Sequence, residues 1–151
     1  MKLLLEQRND KETEVVIRYH EMDSTVKRLI QLYQTCETSV YGDDNGRQYK
    51  INIYDIFYIE SVDKKTFIYT REQVFRTEYK LYYFSEKLSG SGFVQVSKSC
   101  VLNLEMLQNI KQLVNSRMEA TLINGEKITI SRTYLPEIKK ALSKEMTGGL
   151  L

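Results

Sequence analysis

Asn124-Gly125 stands between two short alternating runs, Thr121-Leu-Ile and Lys127-Ile-Thr-Ile130, and no other feature restricts this chain so strongly. An Asn-Gly pair between such runs is the strongest short signal for a β-hairpin, because both residues tolerate the left-handed backbone of tight turns. The two runs are therefore expected to be antiparallel neighbours. The same pattern recurs upstream. Residues 49–53, 56–61, 66–70 and 74–79 are brief stretches rich in Tyr, Phe, Ile and Val, and polar connections at 62–65 and 71–73 separate them. Aromatic and β-branched side chains suit a pleated, half-buried surface, so each stretch reads as a strand. Residues 94–99 and a segment around 110–114 add two more. A mainly β chain with some α follows.

Helices punctuate the strands. Leu81, Phe84 and Leu88 fall at i, i+3 and i+7 before Gly90 and Gly92, which end the run. Leu135, Ile138 and Leu142 share a helical face behind Thr133 as N-cap, with Pro136 in the first turn, and Met146-Thr-Gly-Gly reads as a flexible tail. Near the start, residues 14–20 place Val15, Ile17 and Tyr19 on one face, which predicts a strand. Asp23 or Ser24 then caps a helix that repeats Val26, Leu29, Ile30, Tyr33 and Cys36. The polar, glycine-bounded stretch Gly42-Asp-Asp-Asn-Gly46 is the natural boundary. This reading divides the chain into a strand-helix module over 1–45, a β-rich domain over 46–145 and a tail over 146–151. No internal repeat is evident.

In a chain of 151 residues, 42% hydrophobic content and a single proline suffice for a packed core. No apolar run approaches the roughly 18 residues that a membrane helix needs, which predicts a cytoplasmic protein. Cys36 and Cys100 have no metal-ligand spacing and are expected as reduced packing residues. Enzyme signatures are missing. His20 is the sole histidine and sits in an alternating run, no glycine loop cradles phosphate, and Asp43-Asp44 lies unsupported in a turn. The expectation is a non-enzyme with no cofactor, no metal and no small-molecule substrate.

What remains is a set of cations beside hydroxyls, placed in connections rather than along strands. They are Lys64-Lys65-Thr66, Ser97-Lys98-Ser99 and Ser131-Arg132-Thr133-Tyr134. Such pairs suit nucleic acid: the cation meets a phosphate or the acceptor edge of guanine, and the hydroxyl donates to a nearby phosphate oxygen. From Gln95 onward the chain carries 8 basic against 5 acidic residues, a C-terminal surplus compatible with that face. Solvated loop charges give the same composition.

Four segments in series resemble the LytTR family of DNA-binding domains: Ile56-Phe-Tyr-Ile-Glu-Ser61, Thr66-Phe-Ile-Tyr, Phe93-Val-Gln-Val-Ser-Lys-Ser-Cys-Val-Leu-Asn103 and Asn124-Gly-Glu-Lys-Ile-Thr-Ile-Ser-Arg132. Their order and spacing match the family from about Tyr49 to Leu142, and the third is similar to its F-x-R-x-H/S-x-S-x-x-V-N signature. The resemblance implies an elongated fold of small antiparallel sheets whose loops enter successive major grooves of double-stranded DNA. It implies contacts from Lys64, Lys65 and Thr66, from Ser97, Lys98 and Ser99, and from Arg132 with Tyr134. Gln95 and Ser97-Lys98 depart from the Arg and His-Arg of many members. Asn103 reads as structural, tying a turn.

Family members commonly carry a receiver domain before this module, which about 45 residues cannot form. The short N-terminal module resembles that of small stand-alone regulators, some of which work with a membrane protein encoded nearby. Its apolar residues exceed what one strand and one helix bury between themselves, so a homodimer through this module is expected, with packing onto the DNA-binding domain as the competing outcome. An interaction module of the same fold with weakened DNA binding is the alternative function, and retention of Lys98 and Arg132 favours the regulator.

Overall fold

Ten short strands, paired antiparallel throughout, form two sheets in the computed structural model, which describes residues 1–9 and 12–149. The larger sheet takes β1 Ser39–Asp44, β2 Arg47–Asn52, β3 Ile56–Val62, β4 Lys65–Thr70, β5 Val74–Thr77, β6 Phe93–Ser97 and β7 Cys100–Asn103 in the order β2-β1-β5-β4-β3-β7-β6. The smaller holds β8 Leu107–Gln112, β9 Met118–Leu122 and β10 Lys127–Ile130 in the order β10-β9-β8. Three helices complete the fold: α1 Ser24–Glu37, α2 Leu81–Lys87 and α3 Leu135–Gly149.

The Asn124-Gly125 hairpin joins β9 to β10, with Thr121 opposite Lys127. Gly125 takes the positive φ, 89°, and the Asn124 side chain accepts the Glu126 amide at 3.1 Å. The strand expected over 94–99 ends at Ser97, because the chain reverses at Lys98-Ser99 and a further strand, β7, returns along β6. Both β7 and the first four residues of β3 are buried on both faces, which is why they read as continuous apolar runs rather than alternations. One face packs Ile59, Ile68, Phe75 and Val101 against Leu81 and Phe84 of α2 and against Leu88, its C-cap. The other packs Phe57, Val96 and Leu102 against Ala120, Leu122 and Ile130 of the second sheet and Leu135 and Ile138 of α3.

A repeat that the sequence conceals becomes visible in the structure. Asn52 and Asn103 each cap a 3₁₀ turn, accepting the amides of Tyr54 at 2.8 Å and Glu105 at 3.1 Å. Each turn leads into three consecutive antiparallel strands, β3-β4-β5 or β8-β9-β10, and then a helix, α2 or α3. The first strand of each trio is bulged at its start, at Ile56/Tyr58 and Leu107/Asn109. The first hairpin of each trio turns through two non-glycine residues of positive φ, Asp63-Lys64 and Asn115-Ser116. The likeness lies in the fold and not in the residues: the halves share strand order, turns and caps but few residue identities.

The N-terminal reading is corrected in part. Residues 14–19 form no strand; no neighbouring strand offers them an edge, and Val15, Val16 and Tyr19 lie exposed. Helix α1 does form, with Asp23 accepting the Val26 amide at 3.0 Å. It packs on α3 and on the 3₁₀ turns rather than standing apart. Asn52 donates to the Cys36 carbonyl at 2.6 Å, and Arg28 pairs with Glu105 at 3.4 Å. Gly42–Gly46 is no break in structure: Asn45-Gly46 turns a hairpin in which Asp44 opposes Arg47, so residues 39–44 belong to the large sheet. A Cβ on Gly42 would stand 2.6 Å from the Phe75 Cβ, so this strand lies close against its neighbours.

Two further boundaries shift. Thr133 is not an N-cap but sits inside a 3₁₀ turn, Arg132–Tyr134, whose own cap position is Ser131. The expected tail is helical as far as Gly149, and residues 150 and 151 lie outside the described residues.

Candidate nucleic-acid interface

Three connections hold the cations singled out from the sequence, and local chemistry shapes each. Between β3 and β4, Val62 opposes Lys65, so Asp63 and Lys64 form the whole turn with φ of 50° and 66°. Left-handed backbone costs a non-glycine residue about 1–2 kcal/mol. The paired strands on either side enforce it and lift Lys64 and Lys65 to an exposed apex. Between β6 and β7, Ser97 opposes Cys100. The Ser97 hydroxyl accepts the Ser99 amide at 3.2 Å, and the Gln95 side chain donates to the Ser97 carbonyl at 3.0 Å. Gln95 thereby braces the loop that presents Lys98 and Ser99. Between β10 and α3, the Tyr134 amide donates to the Ser131 carbonyl at 3.1 Å and leaves Arg132 exposed, with Tyr134 half-buried.

Strand direction brings these connections to one rim. The Ser61 amide donates to the Ser99 carbonyl at 2.8 Å, joining the first loop to the second. The Ser131 amide donates to the Val96 carbonyl at 2.9 Å, joining the third to the second and the small sheet to the large one. The β8–β9 hairpin, missed in the sequence, continues the row: Met118 opposes Ile130, and Asn115 and Arg117 line a notch with Ser131, Arg132 and Thr133. The pair Asn115-Ser116 between two short strands is the signal that could have found it. Along this rim stand Lys64, Lys65, Lys98, Arg117 and Arg132, with Asp63 as the one carboxylate in the four connections. Among the described residues, none of these five cations makes an ion pair.

Thr66 does not belong with them. It is 3% exposed, because alternation along β4 turns it inward with Ile68, where it pairs across the sheet with Thr77. Its side chain lies within the sheet and not on the exposed turn. Asn103 is structural, as expected: its side chain donates to the Ile56 carbonyl at 2.8 Å and accepts the Glu105 amide, linking β7 to the start of β3.

Other polar groups lie inside the fold or away from the rim. Cys100 is buried, and burial together with nearby Glu60 pushes its thiol up to about 12. Cys36 is exposed on α1 and is not the packing residue expected. Tyr58 stacks on Tyr69 with ring centres 4.3 Å apart, and burial and Glu126 raise its phenol. Among the described residues, no group of three His, Cys, Asp or Glu could hold a metal ion, and no helix is long and apolar enough to cross a membrane.

Residues 46–143 match the model of the LytTr DNA-binding domain. The chain is 33% identical over 92 residues to the sensory transduction protein LytT of Bacillus anthracis, covering 61% of this chain and 37% of that protein. It therefore spans little more than a third of that relative. An uncharacterized HTH-type transcriptional regulator of Staphylococcus aureus is 27% identical over 139 residues, covering 89% of this chain and 94% of that protein. The fold is that of the LytTr DNA-binding domain of a methyl-accepting/DNA response regulator from Bacillus cereus, with a TM-score of 0.66, 23% identity, and coverage of 70% of this chain and 96% of the other. This chain belongs to the LytTR family of DNA-binding domains.

Proposed function

We propose that the chain is a cytoplasmic, sequence-specific transcription regulator whose inter-strand loops read successive major grooves. The observation that carries this reading is the row of uncommitted cations on one rim, held by hydrogen bonds between loops from both sheets. Lys98 and Arg132 are the residues assigned to base edges, where a cation meets the acceptors of guanine. Lys64 and Lys65, at the apex of a two-residue turn, are assigned to phosphates, with Ser97, Ser99 and Tyr134 as neutral partners. Likeness to the S. aureus regulator along most of both chains supports this reading.

Gel-shift titration with the chain's own upstream region at two salt concentrations tests it. Replacing both Lys64 and Lys65 with Ala is expected to weaken binding on every sequence and to lower the salt slope by about 0.9 for each phosphate that is no longer neutralised. An unchanged slope removes that loop from the interface.

Control is assigned to the N-terminal segment. Val15, Val16, Tyr19 and Met22 lie exposed ahead of α1, an apolar surface that a second copy would cover. A homodimer would bring two domains to two half-sites, raising affinity without a new base contact. A membrane protein encoded nearby is the regulatory partner that the resemblance suggests. Sedimentation of the whole chain with duplex decides the first point: a monomer at micromolar concentration, bound to DNA, rules out the dimer.

A further inference from the structure

We infer that the β8–β9 hairpin is a fourth DNA-contacting element, and that a backbone phosphate of the bound duplex lodges against Arg117 in the notch it shares with Asn115, Ser131 and Thr133, while Arg132 at the edge of that notch keeps the base-edge role assigned above. The inference rests on the DNA-binding reading above and extends it to a segment that this reading leaves out.

Three observations carry it. The first is composition: the notch is lined by Asn115, Arg117, Ser131, Arg132 and Thr133, which supply two guanidinium groups, an amide and two hydroxyls, with no carboxylate. Every one of those side chains can donate to an anion. The nearest carboxylate along β9, Glu119, pairs with Lys127 at 3.9 Å. Among the described residues, Arg117 makes no ion pair, and it lies exposed.

The second is position. The rim runs in order from the β3–β4 turn to the β6–β7 turn, the β10–α3 turn and the β8–β9 turn, each joined to the next by a backbone hydrogen bond, a strand pairing or the shared notch. A duplex laid along the first three loops continues onto the fourth. The third is the repeat. Asn115-Ser116 turns its hairpin through two positive φ values, 64° and 59°, as Asp63-Lys64 does in the other half. In both halves a cation follows directly, Lys65 in one and Arg117 in the other. The strained turn that projects the phosphate-binding lysines is built a second time, at the opposite end of the rim.

Binding of full-length chain to its upstream region, with hydroxyl-radical footprinting, tests the proposal. Arg117→Ala is expected to bind specific and non-specific duplex about five- to ten-fold more weakly, with a salt slope smaller by roughly 0.9. It should lose backbone protection at the flank opposite the one affected when Lys64 and Lys65 are replaced. Arg117→Lys should keep most of the affinity, since lysine still meets a phosphate as a point charge. Lys50→Ala, on the far edge of the large sheet, removes one positive charge elsewhere and should change nothing. Arg117→Ala that behaves like Lys50→Ala, while Arg132→Ala is weakened, overturns the fourth element and leaves the other loops standing. A parent chain that binds no duplex overturns both readings together.

Discussion

Arg132→Ala and Lys98→Ala are each expected to lose about 1–3 kcal/mol of binding to the cognate duplex, the value of one good base contact. Neither change should alter the fold. Both side chains are exposed and, among the described residues, make no ion pair, so their removal leaves no buried group unsatisfied. The loss should be selective: binding to a scrambled duplex should fall much less, because phosphate contacts supply most of that affinity. Fluorescence anisotropy on both duplexes, with circular dichroism of each variant, separates these effects. Unchanged affinity for the cognate duplex in both variants would take the rim out of base recognition and favour a protein-binding role for the same fold.

Phe84→Ala should act through the opposite channel. Phe84 is 0% exposed in the layer between α2 and the large sheet, among Leu81, Leu88, Phe93 and Val101. Truncating such a phenyl ring leaves a cavity and costs about 3–5 kcal/mol. Urea unfolding should shift by that amount, with the slope nearly constant. That layer lies on the face of the sheet away from β8, β9, β10 and α3. Affinity per folded molecule should therefore stay near that of the parent. A loss below about 1 kcal/mol is outside the range for a buried aromatic and would contradict this packing.

How far the sequence reveals all this depends on whether the controlling forces are local. Turn residues and apolar alternation locate the strands between β2 and β5 and the β9–β10 hairpin, because both signals lie within a few residues. The same local signal misleads at residues 14–19, where alternation is present but a pairing partner is not. It is also incomplete at Gly42–Gly46: the glycines mark a turn, and only β1 lying between β2 and β5 shows that the turn lies inside a sheet. Of the proposed contact residues, Lys64, Lys65, Lys98, Ser99 and Arg132 are exposed, and Ser97 and Tyr134 half-buried. Thr66 is buried, since its orientation depends on strand register, which adjacency in sequence does not convey. Arg117 is hidden from a sequence reading for a related reason. It reaches the rim through pairing of Met118 with Ile130, made across the Asn124-Gly125 hairpin.

The place of β1 bears on how deletion experiments should be interpreted. The family match begins at residue 46, which invites a shortened chain starting at Arg47. Such a chain would lack the strand that joins β2 to β5, together with Val40 from the core and the helix bonded to Asn52. Two bare strand edges would remain, and unprotected edges invite aggregation by pairing with other copies. Lost DNA binding in that fragment would report a damaged sheet together with any lost dimer contact, and would not by itself place a recognition element among the residues removed.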